Sequence, residues 1–351
     1  MRLKRIFVLM SAAVVMVTLL ITFSGEALSQ NPMEAWKPKF DPSGAKYNII
    51  YSNVSHPAIK GVYTGMAIRD ELWKRTNGQM YFDYRPFSQL GGEVEVLNQL
   101  QTGTIQGMSC SSVASTNLGP RMGIVNLPYL VDTYEKMEKF AADKKLYQHF
   151  LDGMKHQGIM GVNVTGYGQY GWATTKPVRN LDDAKKVKFR IAEAAVNKLT
   201  YQVWGLNPVV MPWPDVHVAL KQGVIEGLDH TAIVCNLTKK FEVCKYFTEL
   251  NYAQGLFIWL FNEAWLKSLP PDLAKTLLDV VNEKCEEMRA ATKAQQEEQI
   301  ADAKSKGVEF IQLSAQDLET LRVMGKKVHD TYANEIGPEF LKEVQNLLGF
   351  K

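Results

Sequence analysis

Val187-Lys188-Phe189-Arg190-Ile191 opens the stretch 187–231, whose reading decides the fold. Apolar Val187, Phe189 and Ile191 alternate with Lys188 and Arg190, a period of two that predicts a strand with one face on a core. The run 193–204 then predicts a helix, closed by Gly205 in the position where glycine satisfies the left-handed turn after a helix. Pro208-Val209-Val210-Met211 predicts a second short strand. Pro214 opens another helix to Leu220, Gly223 ends it, and Ile225-Glu226-Gly227-Leu228 leads into a strand ending near His230-Thr231. The order β-α-β-α-β is an α/β unit, and open α/β sheets bind ligands beyond the carboxyl ends of their strands. Arg190 sits near such an end. Its fork of donors suits the paired oxygens of a carboxylate or phosphate. A structural ion pair is the other reading, and this stretch alone leaves both open.

Part of the stretch occurs twice. Leu220-Lys221-Gln222-Gly223-Val224-Ile225-Glu226-Gly227-Leu228 matches Leu100-Gln101-Thr102-Gly103-Thr104-Ile105-Gln106-Gly107-Met108. In both copies a helix ends on glycine, an isoleucine follows two residues later, and a second glycine precedes a strand. Two similar α/β lobes account for the match. The first copy delivers Cys110-Ser111-Ser112 at its strand end and the second delivers His230-Thr231, so facing lobes bring these ends to one cleft.

Outside the copies, strands are predicted at 47–51 and 80–84, and helices at 59–76 and 93–101. A single amphipathic helix covers 133–154, and a strand covers 158–165. Gly166-Tyr167-Gly168-Gln169-Tyr170-Gly171 spells GxGxxG, but Trp172 to Pro177 reads as strand or loop. No helix N-terminus follows to hold a pyrophosphate, so this is a crossing between lobes and not a nucleotide site. Separate strands are predicted at 244–252 and 257–261. From Pro271 one helix runs with few breaks to Lys306, about 50 Å at 1.5 Å per residue, long enough to brace two lobes. A strand at 308–313 and a helix capped by Ser314 follow, and 339–348 closes the chain as a short amphipathic helix.

The amino terminus reads as an export signal. Arg2, Lys4 and Arg5 precede an uncharged apolar run, 6–23, and Ala27-Leu28-Ser29 offers small residues for cleavage after Ser29. The run is long, which leaves an uncleaved anchor as a second reading. A polar leader, 30–45, follows. The remainder, about 320 residues, exceeds one comfortable core and predicts two lobes. Net charge is +3, from 40 Lys+Arg against 37 Asp+Glu, and three positive charges lie in the signal. The rest is near neutral, without a basic stripe for nucleic acid. No GxSxG or HExxH occurs and the six histidines are dispersed, so neither a catalytic constellation nor a metal set or cofactor motif is present. Of the four cysteines, Cys235 and Cys244 lie nine apart in an oxidising compartment and are expected to pair, leaving Cys110 and Cys285 as buried thiols.

Taken together, the export signal, the doubled Leu-x-x-Gly-x-Ile-x-Gly pattern, Gln89-Leu90-Gly91, Asn126-Leu127-Pro128-Tyr129 and Lys188-Phe189-Arg190 resemble the extracytoplasmic solute-binding proteins of tripartite ATP-independent periplasmic (TRAP) transporters, the DctP-like family. The resemblance spans about Tyr47 to Tyr332. It implies an α/β, two-lobed periplasmic-binding-protein-like fold, type II-like, with hinge strands and a long bracing helix. Lobe I is then 46–167 plus 256–295, and lobe II is 168–255 plus 296–351. It further implies a monomer in the periplasm that closes on a small organic acid and hands it to membrane permease subunits.

In that family the carboxylate-binding arginine falls on Arg190, and a second ligand strand falls on 227–231, with His230 where Asn is common. Many members carry a second arginine ahead of a proline matching Pro177; here Gln169-Tyr170 stands there. The expected site is Arg190, His230, Trp213 and Tyr170 on one wall, with Asn53, His56, Gln89 and Ser111 on the other. Trp172 and Tyr167 join Trp213 and Tyr170 as an aromatic floor. One cation with aromatic neighbours points to a monocarboxylate with an apolar or aromatic body. A module presenting a solute to a sensor or receptor would share this fold, and an exported enzyme is the reading from a third class.

Overall fold

The computed structural model describes residues 33–350, so the expected export signal lies outside the described residues. Among the described residues, 33–41 belong to a first unit and carry the 3-10 turn Glu34–Trp36, and 42–350 belong to a second, large unit.

In that large unit nine strands form one mixed sheet: β1 Tyr47–Ser52, β2 Met80–Arg85, β3 Gly107–Ser111, β4 Ile159–Thr174, β5 Phe189–Ile191, β6 Val209–Val210, β7 Gly227–Thr231, β8 Tyr246–Asn262 and β9 Glu309–Gln312. Their order is β2-β1-β3-β8-β4-β7-β5-β6, with β9 beside β8. Two long antiparallel strands, β4 and β8, run down the middle and belong to both halves of the sheet. The later part of β8 pairs with β3, which continues in parallel through β1 to β2. The earlier part of β8 pairs with β9, and the later part of β4 with β7, which continues in parallel to β5 and β6.

Each half has its own core. The first stacks Tyr51 on Trp259 at 5.0 Å and on Phe82 at 4.6 Å between ring centroids. The second packs Val216, Leu220, Ile225 and Leu228 against Phe241, Phe247 and Val308. The doubled pattern is repeated in three dimensions. Glu93–Gln101 and Val216–Lys221 are helices leading into β3 and β7. At the end of each strand a hydroxyl caps the next helix: Ser111 accepts from Ala114 N–H and Thr231 from Val234 N–H.

The strand expected at 158–165 continues through the glycine-rich crossing to Thr174. β4 passes without a break through Gly166–Gly171, with register shifts at Gly166/Gly168 and Gln169/Gly171. Gly168 has φ +105°, a backbone conformation that a side chain would strain.

Four expectations are corrected. The bracing helix is two helices, Pro271–Ala290 and Thr292–Ser305, which break at Ala291. No helix-breaking residue marks the spot. Packing does: Thr292 is buried and fills the space over Gly166 of β4. The 133–154 helix also divides, because Asp143 accepts from Leu146 N–H and caps a new helix, Lys144–Leu151, behind Tyr134–Ala142. The two strands expected at 244–252 and 257–261 are the single β8. Finally, Cys235 and Cys244 are free thiols, as are Cys110 and Cys285. Both sit among apolar side chains of the second core, where burial pushes their ionisation upward and holds them as protonated, unreactive thiols.

Candidate functional site

Where the halves meet, beside the β4–β8 crossing, Arg190, Trp213, Asp229, His230 and Tyr170 from the second half enclose a cavity with Ser55, Glu93, Ser111 and Phe257. β5 positions Arg190. Its neighbours Phe189 and Ile191 are buried in the core, and the alternation of the strand sends Arg190 the other way. Arg190 is only 4 % exposed, and its Nε donates to Met211 O at 2.9 Å. It has no ion pair among the described residues. Burial lowers its basicity, and the Glu93 carboxylate works in the opposite direction. The Trp213 ring centroid lies 5.8 Å from the guanidinium carbon of Arg190 and 4.5 Å from Lys240 Nζ.

β7 supplies the adjoining groups. His230 lies 4.8 Å from Trp213, ring to ring, and its Nδ1 accepts from Thr231 N–H at 2.9 Å. Burial, followed by the charges of Arg190 and Lys240, holds its pKa well below the usual value, so the ring is neutral with its proton on Nε2. Asp229 is 3 % exposed. Its Oδ2 accepts from Tyr252 Oη at 2.6 Å and Asn197 Nδ2 at 3.4 Å, while its Oδ1 is buried without a partner. Burial pushes this carboxyl up to about 7, with the hydroxyls of Tyr252 and Tyr201 and the charge of Arg190 opposing. From β4, Tyr170 and Tyr167 share a hydroxyl–hydroxyl hydrogen bond of 2.7 Å.

On the opposite wall Ser111 donates to Glu93 through both N–H, at 2.6 Å, and Oγ, at 2.8 Å. Burial raises the Glu93 pKa, and these two bonds pull the other way.

The structure therefore gathers Arg190, His230, Trp213, Tyr170 and Ser111 around one cavity. It does not bring four other expected residues there. Asn53 is fully buried, donating to Ser109 O and Oγ at 2.9 and 2.8 Å, and it holds the end of β1 against β3. Gln89 Nε2 donates to Pro86 O at 2.8 Å, which closes its own loop. His56 lies in an adjacent groove with Phe87, Lys239 and Lys240, and burial lowers its pKa. Trp172 is completely buried in the core. Glu93, Asp229, Asn197 and Phe257 line the cavity without having been expected there. A carboxylate inside the apolar strand Gly227–Thr231 was the available signal for Asp229.

Known proteins share this design. Residues 54–335 match the family described as bacterial extracellular solute-binding protein, family 7. The chain belongs to that family. The family consists of binding proteins of TRAP transporters, not enzymes. The chain is 27% identical over 284 residues to the C4-dicarboxylate-binding periplasmic protein DctP of Rhodobacter capsulatus, covering 80% of this chain and 85% of that one. It is 25% identical over 287 residues to the 2,3-diketo-L-gulonate-binding periplasmic protein YiaO of Escherichia coli, covering 79% and 85%. A crystal structure of a TRAP periplasmic solute-binding protein from Desulfovibrio salexigens with bound orotic acid superposes with a TM-score of 0.81 at 22% identity, covering 87% of this chain and 99% of that one. One from Shewanella oneidensis with bound succinate gives 0.81 at 22%, covering 86% and 99%. These likenesses establish the two-lobed periplasmic-binding fold.

Proposed function

We propose that this family 7 protein is exported to the periplasm, binds a small organic monocarboxylate with an apolar or aromatic body, and delivers it to the membrane subunits of a TRAP permease. The lobes would be 46–167 plus 256–295 and 168–255 plus 296–351, closing on the ligand about β4 and β8. A ligand shifts that equilibrium only by the contacts it gains in the closed form.

The observation that carries this reading is Arg190: a cation 4 % exposed, on the wall of a cavity, with one hydrogen bond and no ion pair among the described residues. A buried charge is expensive unless it is paired, and an incoming carboxylate supplies the pair. Trp213, Tyr170, Tyr167 and Phe257 offer the apolar body a place, and neutral His230 offers its Nε2–H as a donor. The relatives' names span C4-dicarboxylate and 2,3-diketo-L-gulonate, and neighbours hold orotic acid and succinate, so family membership leaves the acid open. Charge narrows it. Apart from neutral His230 and the hydroxyls of Tyr167 and Tyr170, the other ionisable groups on the wall are the acids Glu93 and Asp229, which when ionised would repel a second ligand carboxylate.

Thermal-shift titration with aromatic and branched monocarboxylates, beside succinate and malate, tests the assignment, since ligands that bind only the native state raise its melting temperature. Monocarboxylates are expected to give the larger shifts. A clear preference for succinate or malate would sink the monocarboxylate reading.

A further inference from the structure

Resting on that reading of Arg190, we infer that the ligand is an aminocarboxylate whose protonated nitrogen is received by Asp229 and Glu93, across the cavity from its own carboxylate. The reasons are an unused acceptor and an unbalanced charge. Asp229 Oδ1 is buried with no hydrogen bond, although the other oxygen of the same carboxyl is well served by Tyr252 and Asn197. Buried polar atoms without partners are rare in native proteins and ask for a specific explanation. Asp229 and Glu93 both line the cavity, and neither has an ion pair among the described residues. Glu93 spends one lone pair of each oxygen on Ser111, which leaves acceptor capacity on both.

A simple carboxylate would set three acidic groups against the single cation of Arg190. Burial already disfavours the ionised forms of Glu93 and Asp229, and another anion would add to that cost. An ammonium carries three N–H donors and no acceptor, which is what the free oxygens lack. The rings of Tyr167 and Tyr170 line the same space and suit a desolvated cation. A ligand hydroxyl could fill Asp229 Oδ1 too, but it would leave the charge unbalanced.

Matched series decide the matter: phenylalanine, phenyllactate and 3-phenylpropionate, with the corresponding leucine series, titrated calorimetrically into the mature protein. The amino member is expected to bind about ten- to a hundredfold more tightly than either partner, the range of a charge-assisted hydrogen bond. Glu93→Gln, checked by its apo melting curve, should erase most of that advantage by weakening the amino member, while 3-phenylpropionate, relieved of an opposing acid, should bind at least as tightly as to wild type. Asp229→Asn serves the same purpose should Glu93→Gln fail to fold. Hydroxy or unsubstituted acids binding as tightly as the amino members would overturn this inference and leave the carboxylate reading intact. Amino acids binding equally to wild type and Arg190→Ala would instead overturn the carboxylate reading, and binding of no acid of either series would overturn this inference together with the apolar-bodied monocarboxylate assignment.

Discussion

The β4–β8 crossing and the cavity beside it are both polar and both buried, yet they treat their polar groups in opposite ways. At the crossing the groups are spoken for. Thr165 Oγ1 donates to Gly61 O at 3.0 Å and accepts from Trp259 Nε1 at 3.1 Å. Gln295 accepts from Lys60 N–H and donates to Ala58 O. Gln296 bridges Gln169 and Tyr134, and Arg289 reaches Glu138, Asn163 and Val164 O. In the cavity, Arg190 uses one donor nitrogen and Asp229 leaves one oxygen bare. A satisfied buried network rigidifies a joint, whereas unsatisfied buried groups are a standing demand for a ligand. Unpartnered buried atoms also occur in the scaffold, as at Tyr51 Oη and Asn126 Nδ2, but Asp229 and Arg190 lie on the wall of a cavity.

The contrast can be sharpened first at Asp229, where the largest change in stability is expected. Its folded pKa, about 7, lies above the unfolded value of about 3.9, so the native state holds the extra proton between them. The stability this contributes is complete below about pH 4 and is lost as pH rises through about 7. Asp229→Asn, which keeps an acceptor for Tyr252, should flatten the apo stability profile between pH 4 and 8 by an amount on the order of a few kcal/mol. Chemical denaturation at several pH values measures it, and parallel profiles for variant and wild type would show that Asp229 is not a strained acid.

A smaller effect is expected at the joint. A Cβ on Gly61 would lie 2.3 Å from Gly166 O, a backbone atom that cannot step aside. Gly61→Val should therefore destabilise the apo protein by about 1–3 kcal/mol, the usual range for overpacking. A lowered melting temperature is the expected readout. Melting together with wild type would mean that the crossing is slack and the comparison misdrawn.

Much of this was legible from the chain, and the illegible remainder has a common cause. The Glu93–Gln101 helix was predicted to the residue because apolar spacing and Gly103 fix it locally. The strand alternation made Arg190 legible as a residue near a strand end, opposite Phe189 and Ile191, and the family resemblance then singled it out as a ligand candidate. The break at Ala291 was not, since it arises from Thr292 meeting Gly166, residues more than a hundred positions apart. Asn53 and Gln89 looked like ligand groups because their types are polar and their positions suitable, yet their hydrogen bonds are consumed by Ser109 and Pro86. Cys235 and Cys244 satisfied a spacing argument, but spacing says nothing of thiols packed as small apolar side chains. Polar partnership is a property of the folded chain, so a sequence offers candidates and the fold selects among them.

The most direct measurement is calorimetric titration of Arg190→Ala with the acid that wild type binds best, set beside apo melting curves for both proteins. Truncating one partner of a buried, hydrogen-bonded ion pair typically costs about 2–5 kcal/mol. Affinity should fall on the order of 30- to several-thousand-fold at roughly 1.4 kcal/mol per decade. The apo melting temperature should stay near wild type, because Arg190 gives up a single hydrogen bond, to Met211 O, and no ion pair among the described residues. Intact affinity in a folded Arg190→Ala, or a large loss of apo stability without a loss of affinity, would contradict the site and leave Arg190 a structural residue.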